Sequence, residues 1–418
     1  MPTPPIRAAR VPAPTTPRAF VCQCGRPIFF RNNTCLACQS PLGYAPERGR
    51  LLPLEPVPGP DGVDTGWWRA APQRRGSTPA ARWRRCSNLG TASACNWLIA
   101  SADRQLSEHP DAPLCRACRL TRTLPDLAVP ENAVRWLRIA NAQRRLVSTL
   151  IALGLPVQSR GEDPLHGLAF DLLGAPPGGP AVMTGHADGL ITLDVEEADD
   201  STREKRRQDL GEHYRTLLGH LRHEAGHYYW WRLVETGPWL DAFRATFGDE
   251  RADYGAALQR HHGEGPPADW NTRHVSAYAS CHPWEDWAET WAHYLHLVDT
   301  LDTARSFGLD GERVELDYER FDASMLEGNG DDEPQAFLDL VNGWMELTGV
   351  LNELSRAMGL ADFYPFVLSV PALRKLHLVH LVVVAQARQP GNTSRASRPV
   401  SGKRLPGTEP DGRPSIAV

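Results

Sequence analysis

Lysine is missing from the first 130 residues of this 418-residue chain. That stretch holds 17 arginines against 8 acidic residues, whereas the remainder is acidic and the whole chain carries a net charge of −5. A basic front half on an acidic body points to an anionic partner, protein or nucleic acid, or to docking between the two parts. Two thiolate-bound zinc ions would cut the excess, because each four-cysteine site carries a net charge of about −2. Long apolar runs are lacking too. The longest near the C-terminus, residues 377–385, is far shorter than the ~20 residues that span a bilayer. The leading segment, MPTPPIRAARVPAPTTPRAF, is proline-rich and has no apolar stretch of the kind a secretory signal needs. No internal repeat is found. A cytoplasmic protein with no membrane contact is expected, and its nine cysteines should then be metal ligands rather than disulfides.

Two close pairs come first, Cys22-Gln-Cys24-Gly25 and Cys35-Leu-Ala-Cys38. Pairs separated by about ten residues form a zinc-ribbon knuckle pair, and Gly25 can take the positive φ that turns backbone amides toward a thiolate. A second set follows: Cys86, Cys95, Cys115 and Cys118, of which only the last two are closely spaced. Two sets of four leave only the remote Cys281 over. The competing reading is one ribbon plus four unrelated thiols. Residues 53–76 read as a connector, and Trp67, Trp68, Trp83 and Trp97 are expected to cover the metal centres, since such modules lack room for an ordinary core.

From Pro130 the texture becomes helical. Apolar spacing predicts a helix over 131–153, begun by Pro130 and ended by Gly154. Strands are expected over 167–173 and 182–195, the latter with an Asp188-Gly189 turn. A charged helix, a histidine-rich helix and helices over 239–247, 252–261, 278–301, 334–358 and 371–386 should follow. The fold class is α+β: a disordered leader (1–19), a zinc ribbon (20–50), a second four-cysteine region (51–128), a mainly helical zincin-like domain with a small sheet (130–387), and a disordered tail (388–418).

Within the histidine-rich stretch Leu217 to Trp230 stands His223-Glu224-Ala225-Gly226-His227, an H-E-x-x-H motif. Histidines four apart share a helix face and can grip one metal ion, while Glu224 reaches the water activated there. The bland alternative is a helix that happens to be rich in histidine. A catalytic zinc needs a third protein ligand. The third histidine of the metzincin pattern is absent, since Leu233 stands six residues after His227. His220 lies seven residues from His227, about 10 Å along the axis, too far to share a tetrahedral ion; it should pack or support a neighbour. The segment His282-Pro-Trp-Glu285-Asp-Trp-Ala-Glu289 offers two glutamates one turn apart between tryptophans. Buried carboxylates need a compensating cation, so one can ligate while the other holds a ligating histidine. Spacing alone does not separate them, and an ordinary acidic helix start is the competing reading.

These motifs resemble a bacterial family of zinc-binding metallopeptidases with an N-terminal zinc-ribbon region. The likeness covers about residues 20–310. It includes Asn96-Trp97-Leu98, Cys115 through Asp126, Thr184-Gly185-His186, Gly219 through Trp230, Gly248 through Tyr254, and His282 through Glu289. It implies a zincin-like peptidase without naming a substrate. The catalytic half also resembles the gluzincin arrangement of anthrax lethal factor, in which a tyrosine precedes the ligating glutamate of an E-x-x-x-E helix by seven residues. Tyr278 precedes Glu285 by that spacing. The resemblance implies Glu285 as ligand and Glu289 behind it; Tyr278 could donate to a tetrahedral oxyanion, and a tyrosine at the core edge is the competing reading.

The expected function is hydrolysis of a peptide or protein substrate at zinc held by His223, His227 and Glu285, with Glu224 as general base. One catalytic zinc and one or two structural zinc ions are implied, and residues 190–195 could offer a strand edge to the substrate backbone. The rival reading is a zinc-dependent protein or nucleic-acid interaction module on an inactive or regulatory zincin scaffold. A hydrolase of non-peptide amides is a third. Cys281 is expected to be structural or merely tolerated.

Overall fold

The computed structural model describes residues 17–72, 81–176, 178–180, 182–209, 215–309, 314, 318–326 and 334–389. Most of the expected leader and tail lies outside these. Residues 17–19, however, are part of the fold: the Arg18 side chain is buried and its guanidinium sits 2.8 Å from Asp299.

The front half begins with a small antiparallel pair, β1 (Ala19–Val21) and β2 (Pro27–Phe29). A five-stranded antiparallel sheet follows, in the order β3 (Leu42–Ala45), β4 (Arg50–Pro58), β5 (Asp64–Ala70), β6 (Trp83–Arg85) and β7 (Leu98–Ala100). This corrects two expectations. The 50/51 domain split falls inside β4, so the sheet that begins after the first cysteine set also holds β6 and β7, which flank Cys86 and Cys95. The supposed connector over 53–76 is largely strand, with residues 73–76 outside the described set. Proline does not forbid it. Leu54 donates its amide toward the β3 side, to the Pro41 carbonyl; Pro56, two residues on, points its missing N–H the same way, beyond the end of β3, where no ladder bond is lost.

The tryptophans also sort differently. Trp97 joins Phe30 and Tyr44 beside the buried cysteines. Trp83 instead fills a separate small core with Leu52, Leu54 and Leu98, and Trp68 packs at its edge. Arg84 and Arg85 lie over Trp67 and Trp68, so these rings cover arginines and sheet rather than thiols.

A one-turn helix α1 (Gln105–Glu108) and strand β8 (Thr121–Thr123) lead to α2 (Pro130–Ala152). Pro130 stands in its first turn, and Gly154 follows it at φ +69°. β8 joins the second sheet, ordered β10-β11-β9-β8, where β9 (Ala169–Leu173) runs parallel to both β8 and β11 (Leu190–Asp194), and β10 (Gly185–Ala187) is the antiparallel edge. Asp188 and Gly189 both have positive φ, as a tight two-residue hairpin requires. The edges of this sheet are therefore β10 and β8; β11, within the expected edge strand 190–195, lies inside it, flanked by β9 and, over residues 190–192, by β10.

Helices α3 (Asp200–Asp209), α4 (Leu217–Leu233), α5 (Leu240–Phe247), α6 (Tyr254–Glu264), α7 (Pro283–Ser306), α8 (Gln335–Ala357) and α9 (Val370–Ala387) complete the body. The helix expected over 278–301 starts later. His282 is extended (φ −153°, ψ 147°) because the residue before a proline disfavours helical geometry, so Tyr278–Ser280 forms a separate 3-10 turn. Among the described residues, α9 alone has the length and mean hydropathy (1.2) to cross a bilayer. It packs with Leu373, Leu376, Val379 and Val383 buried, alongside buried Lys375 and His377.

One continuous apolar core runs from Cys22 and Trp97 through α2 to Trp291 and Val383. The basic front docks on the acidic body through Arg18–Asp299, Arg119–Glu162 (2.9 Å) and Arg122–Asp171. Part of the charge asymmetry in the sequence is thus spent inside the molecule.

Candidate metal centre

Helix α4 is started by Thr216, whose hydroxyl accepts from the Gly219 amide at 3.0 Å. It crosses α7 at Gly226. A Cβ there would lie 2.8 Å from the Ala288 Cα and 3.1 Å from its carbonyl oxygen, and the Trp287 indole donates to the Gly226 carbonyl at 3.0 Å. Only a glycine permits this approach. α7 is itself fixed by Pro283 in its first turn and by His282, which accepts from the Trp284 amide at 3.1 Å and donates to the Ala252 carbonyl at 3.0 Å.

The crossing brings three donors to one point. His223 Nε2 and His227 Nε2 are 3.1 Å apart, and Glu285 Oε2 lies 3.0 Å from the first and 3.4 Å from the second. Bonds of 2.0–2.1 Å to a tetrahedral zinc imply ligand separations of about 3.3 Å. Glu285 Oε2 is buried and accepts no hydrogen bond from any described residue. The oxygen faces both imidazole Nε2 atoms, an arrangement that suits a shared cation. Burial would raise the Glu285 pKa, but the adjacent His227 and His223 hold it well below the usual carboxylate range. Two imidazole nitrogens and one carboxylate oxygen fit zinc.

Glu289 stands behind this set. Its Oε1 is 2.7 Å from His223 Nδ1, and its Oε2 accepts from the Ser276 hydroxyl at 2.6 Å. Burial opposes ionisation of Glu289, yet His223 brings its pKa down to about 2. The structure thus separates two glutamates that spacing left equivalent: Glu285 meets both Nε2 atoms, whereas Glu289 orients one ring from behind. The other Glu285 oxygen accepts from Tyr254 OH at 2.7 Å. The His227 ring rests on Trp284, with ring centroids 3.8 Å apart.

Glu224 is buried beside the donors. Its Oε1 is 3.3 Å from His220 Nε2, while Oε2 has no hydrogen-bond partner among the described residues. Burial would favour the acid, but His220 and the charge of His223 keep its pKa below the ordinary value. His220 in turn faces Glu197 at 3.5 Å, which Arg215 and Arg206 hold. His220 therefore supports Glu224 and does not join the donor set. Tyr278 lies with its ring centroid 6.0 Å from that of His223, and burial raises its pKa.

The two cysteine sets are gathered as well. Within each, the sulfur atoms lie within 4.8 Å of one another. Cys22–Cys38 is 3.6 Å, Cys24–Cys35 3.8 Å and Cys95–Cys115 3.6 Å, against about 3.8 Å for the edge of a tetrahedron with 2.3 Å zinc–sulfur bonds. Gly25 has φ +83° and closes the first knuckle by donating to the Cys22 carbonyl. The Cys115 amide points at Cys86 Sγ and the Cys118 amide at Cys115 Sγ. The long gaps of the second set are closed by α2: Arg144 donates to the Ser93 hydroxyl and carbonyl, and Gln143 to the Ala117 carbonyl. Cys281 belongs to none of the three sets.

Sequence reasoning passed over Tyr254, Ser276 and Gly226. Tyr254 was visible only as the end of the Gly248–Tyr254 motif, and Gly226 only as an unspecified position within H-E-x-x-H. Ser276 gives no local signal.

With this geometry established, comparison identifies the family. The chain belongs to the family described as "Putative zinc-binding metallo-peptidase", which matches residues 132–382, and residues 19–129 match a zinc-ribbon domain. It is similar to an uncharacterized protein of Mycobacterium bovis and to uncharacterized proteins of two Mycobacterium tuberculosis strains. Each is 40% identical over 382 residues, covering 90% of this chain and 99% of the relative. No solved structure matches the chain.

Proposed function

We propose that this chain is a zinc-dependent peptidase of gluzincin type. The observation that carries the reading is the convergence of His223, His227 and Glu285 beside a buried Glu224 with an unengaged oxygen. A zinc ion held there supplies Lewis acidity that lowers the pKa of water toward ~7 and polarises a carbonyl. Glu224 takes the proton of the attacking water through its free Oε2 and passes it to the leaving amine. Glu289 fixes the His223 ring, and Tyr254 restrains the Glu285 carboxylate so that its other oxygen stays in the donor set. Tyr278 donates to the developing oxyanion, a contribution of about 3 kcal/mol where such donors have been removed. An extended peptide pairs with the β10 edge, which packs against α4. Each cysteine set holds one structural zinc.

The test is Glu224→Gln in the full chain against a mixed peptide library. The variant should keep its zinc content and melting temperature and lose at least about a hundredfold in cleavage rate, the usual scale for a general base. Cleavage at the wild-type rate would sink the mechanism.

A further inference from the structure

A cleft of about 630 Å³ opens at the N-terminal end of α4, between the front half and helices α2, α7 and α8. None of His223, His227, Glu224 or Glu285 lines it. Its floor is an ion cluster with unequal charges. Asp299 is met by Arg18 at 2.8 Å, Arg145 at 2.6 Å and Arg222 at 2.7 Å. Among the described residues, Arg18 and Arg145 meet no carboxylate other than Asp299, so two guanidiniums share one negative charge. Arg138 at the rim is engaged by Asp199, and Arg145 by Asp299 and the Thr303 hydroxyl through Nε and Nη2; the exposed Arg31 brings further positive charge. The start of the 17-residue helix α4 faces the same space, and its dipole adds to the positive potential.

The walls have a different character. Phe29 and Phe307 each keep 53% of their surface exposed and Phe363 keeps 47%, around the buried rings of Phe30, Trp344 and Tyr364. Large apolar rings around a cationic floor match a ligand with an anionic head and an apolar body, and the volume falls in the range of small-molecule sites.

We propose that this cleft binds a small organic anion whose carboxylate or phosphate meets Arg145 and Arg31 and whose apolar body lies against Phe29, Phe307 and Phe363. Its walls come from both halves of the chain, so occupancy ties the ribbon to the start of the histidine helix. The site is separate from the zinc site and does not depend on the activity proposed above.

Calorimetric titration of the full, zinc-loaded chain with four probes tests this: 1-naphthyl phosphate, 1-naphthoate, neutral 1-naphthol and inorganic phosphate. At least one naphthyl anion should bind about tenfold or more tighter than both naphthol and phosphate, the scale of one charge-assisted hydrogen bond; the better of the two identifies the preferred head group. Arg31→Gln and the cleft-filling Ala142→Phe should each weaken it about tenfold, while His227→Ala should not. Absence of binding by both anions, equal binding of naphthol, insensitivity to both cleft variants, or loss in His227→Ala would overturn the proposal. The His227→Ala arm excludes direct capture by zinc at the α4–α7 crossing.

Discussion

In the cysteine sets four sulfur atoms face one another, occupying every corner of a tetrahedron; at the α4–α7 crossing three donors occupy three corners, with Glu224 beside them. The surroundings differ in the same sense. Cys86, Cys95, Cys115 and Cys118 are all buried in the continuous core, tied to α2 by Arg144 and Gln143. Their geometry holds the fold. The His–Glu set is positioned by elements that make no contribution to coordination, among them Gly226, Ser276 and Tyr254. A closed set stabilises; an open set, propped from behind, can do chemistry.

The largest effect should come from breaking a closed site. Cys115→Ser leaves three buried thiols around a poor ligand, and at least several kcal/mol of folding free energy should disappear with the zinc, given that binding at such sites contributes on the order of 10 kcal/mol. Loss of one zinc per chain together with a collapsed thermal transition is the expected result. An unchanged melting temperature would show that the second set is four unrelated thiols.

Next is a buried cluster that needs no metal. Burial would raise the Asp299 pKa, but Arg18, Arg145 and Arg222 hold it far below the ordinary carboxylate value. A folded-state pKa below the unfolded one stabilises above about pH 4, where the unfolded carboxyl is ionised, and that stability is lost as pH falls below it. Asp299→Asn should cost about 3–5 kcal/mol at neutral pH, the scale of an orphaned buried ion pair. The gap between variant and wild-type melting temperatures should narrow on acidification. A gap independent of pH between 7 and 3 would refute the electrostatic account.

Smaller effects should separate geometry from stability at the open site. Gly226→Ala drives a methyl into Ala288, so α7 must shift. About 1–3 kcal/mol of stability should be lost, with zinc affinity falling in parallel because Glu285 moves with α7. Retained affinity would mean that the crossing does not set the donor spacing. Tyr254→Phe removes only a hydroxyl on Glu285. Zinc affinity should fall by about 10–100-fold, as for other partners of metal ligands, with thermal stability of the zinc-free chain nearly unchanged. An unaltered affinity in competition with a chelator would reduce Tyr254 to a packing role.

Much of the site could be read in the sequence because its chemistry is local. Four-residue spacing placed His223 and His227 on one face, and the same spacing paired Glu285 with Glu289. Spacing alone did not choose between the glutamates; the resemblance pointed to Glu285, and the approach of the helices at Gly226 brings that carboxylate near both Nε2 atoms. The fold was legible where periodicity is strong, as in α2, α8 and α9. It was misread where prolines sit in β4, because whether a missing N–H matters depends on where the neighbouring strand ends. Arg18 lay in a stretch expected to be disordered, and nothing local announces that its partner is Asp299, 281 residues away. Trp67, Trp68 and Trp83 were misassigned for a similar reason, while Trp97 does lie beside the cysteines: composition shows that a small module needs cover, but not which face each ring takes.

Zinc stoichiometry of the purified full chain and of Glu285→Ala, measured side by side after dialysis, tests the central claim most directly. Three gathered donor sets predict three zinc ions per wild-type chain and two in Glu285→Ala, with the cysteine-bound pair retained. Three ions in the variant, or only two in the wild type, would contradict the assignment of an open zinc centre to the crossing of α4 and α7.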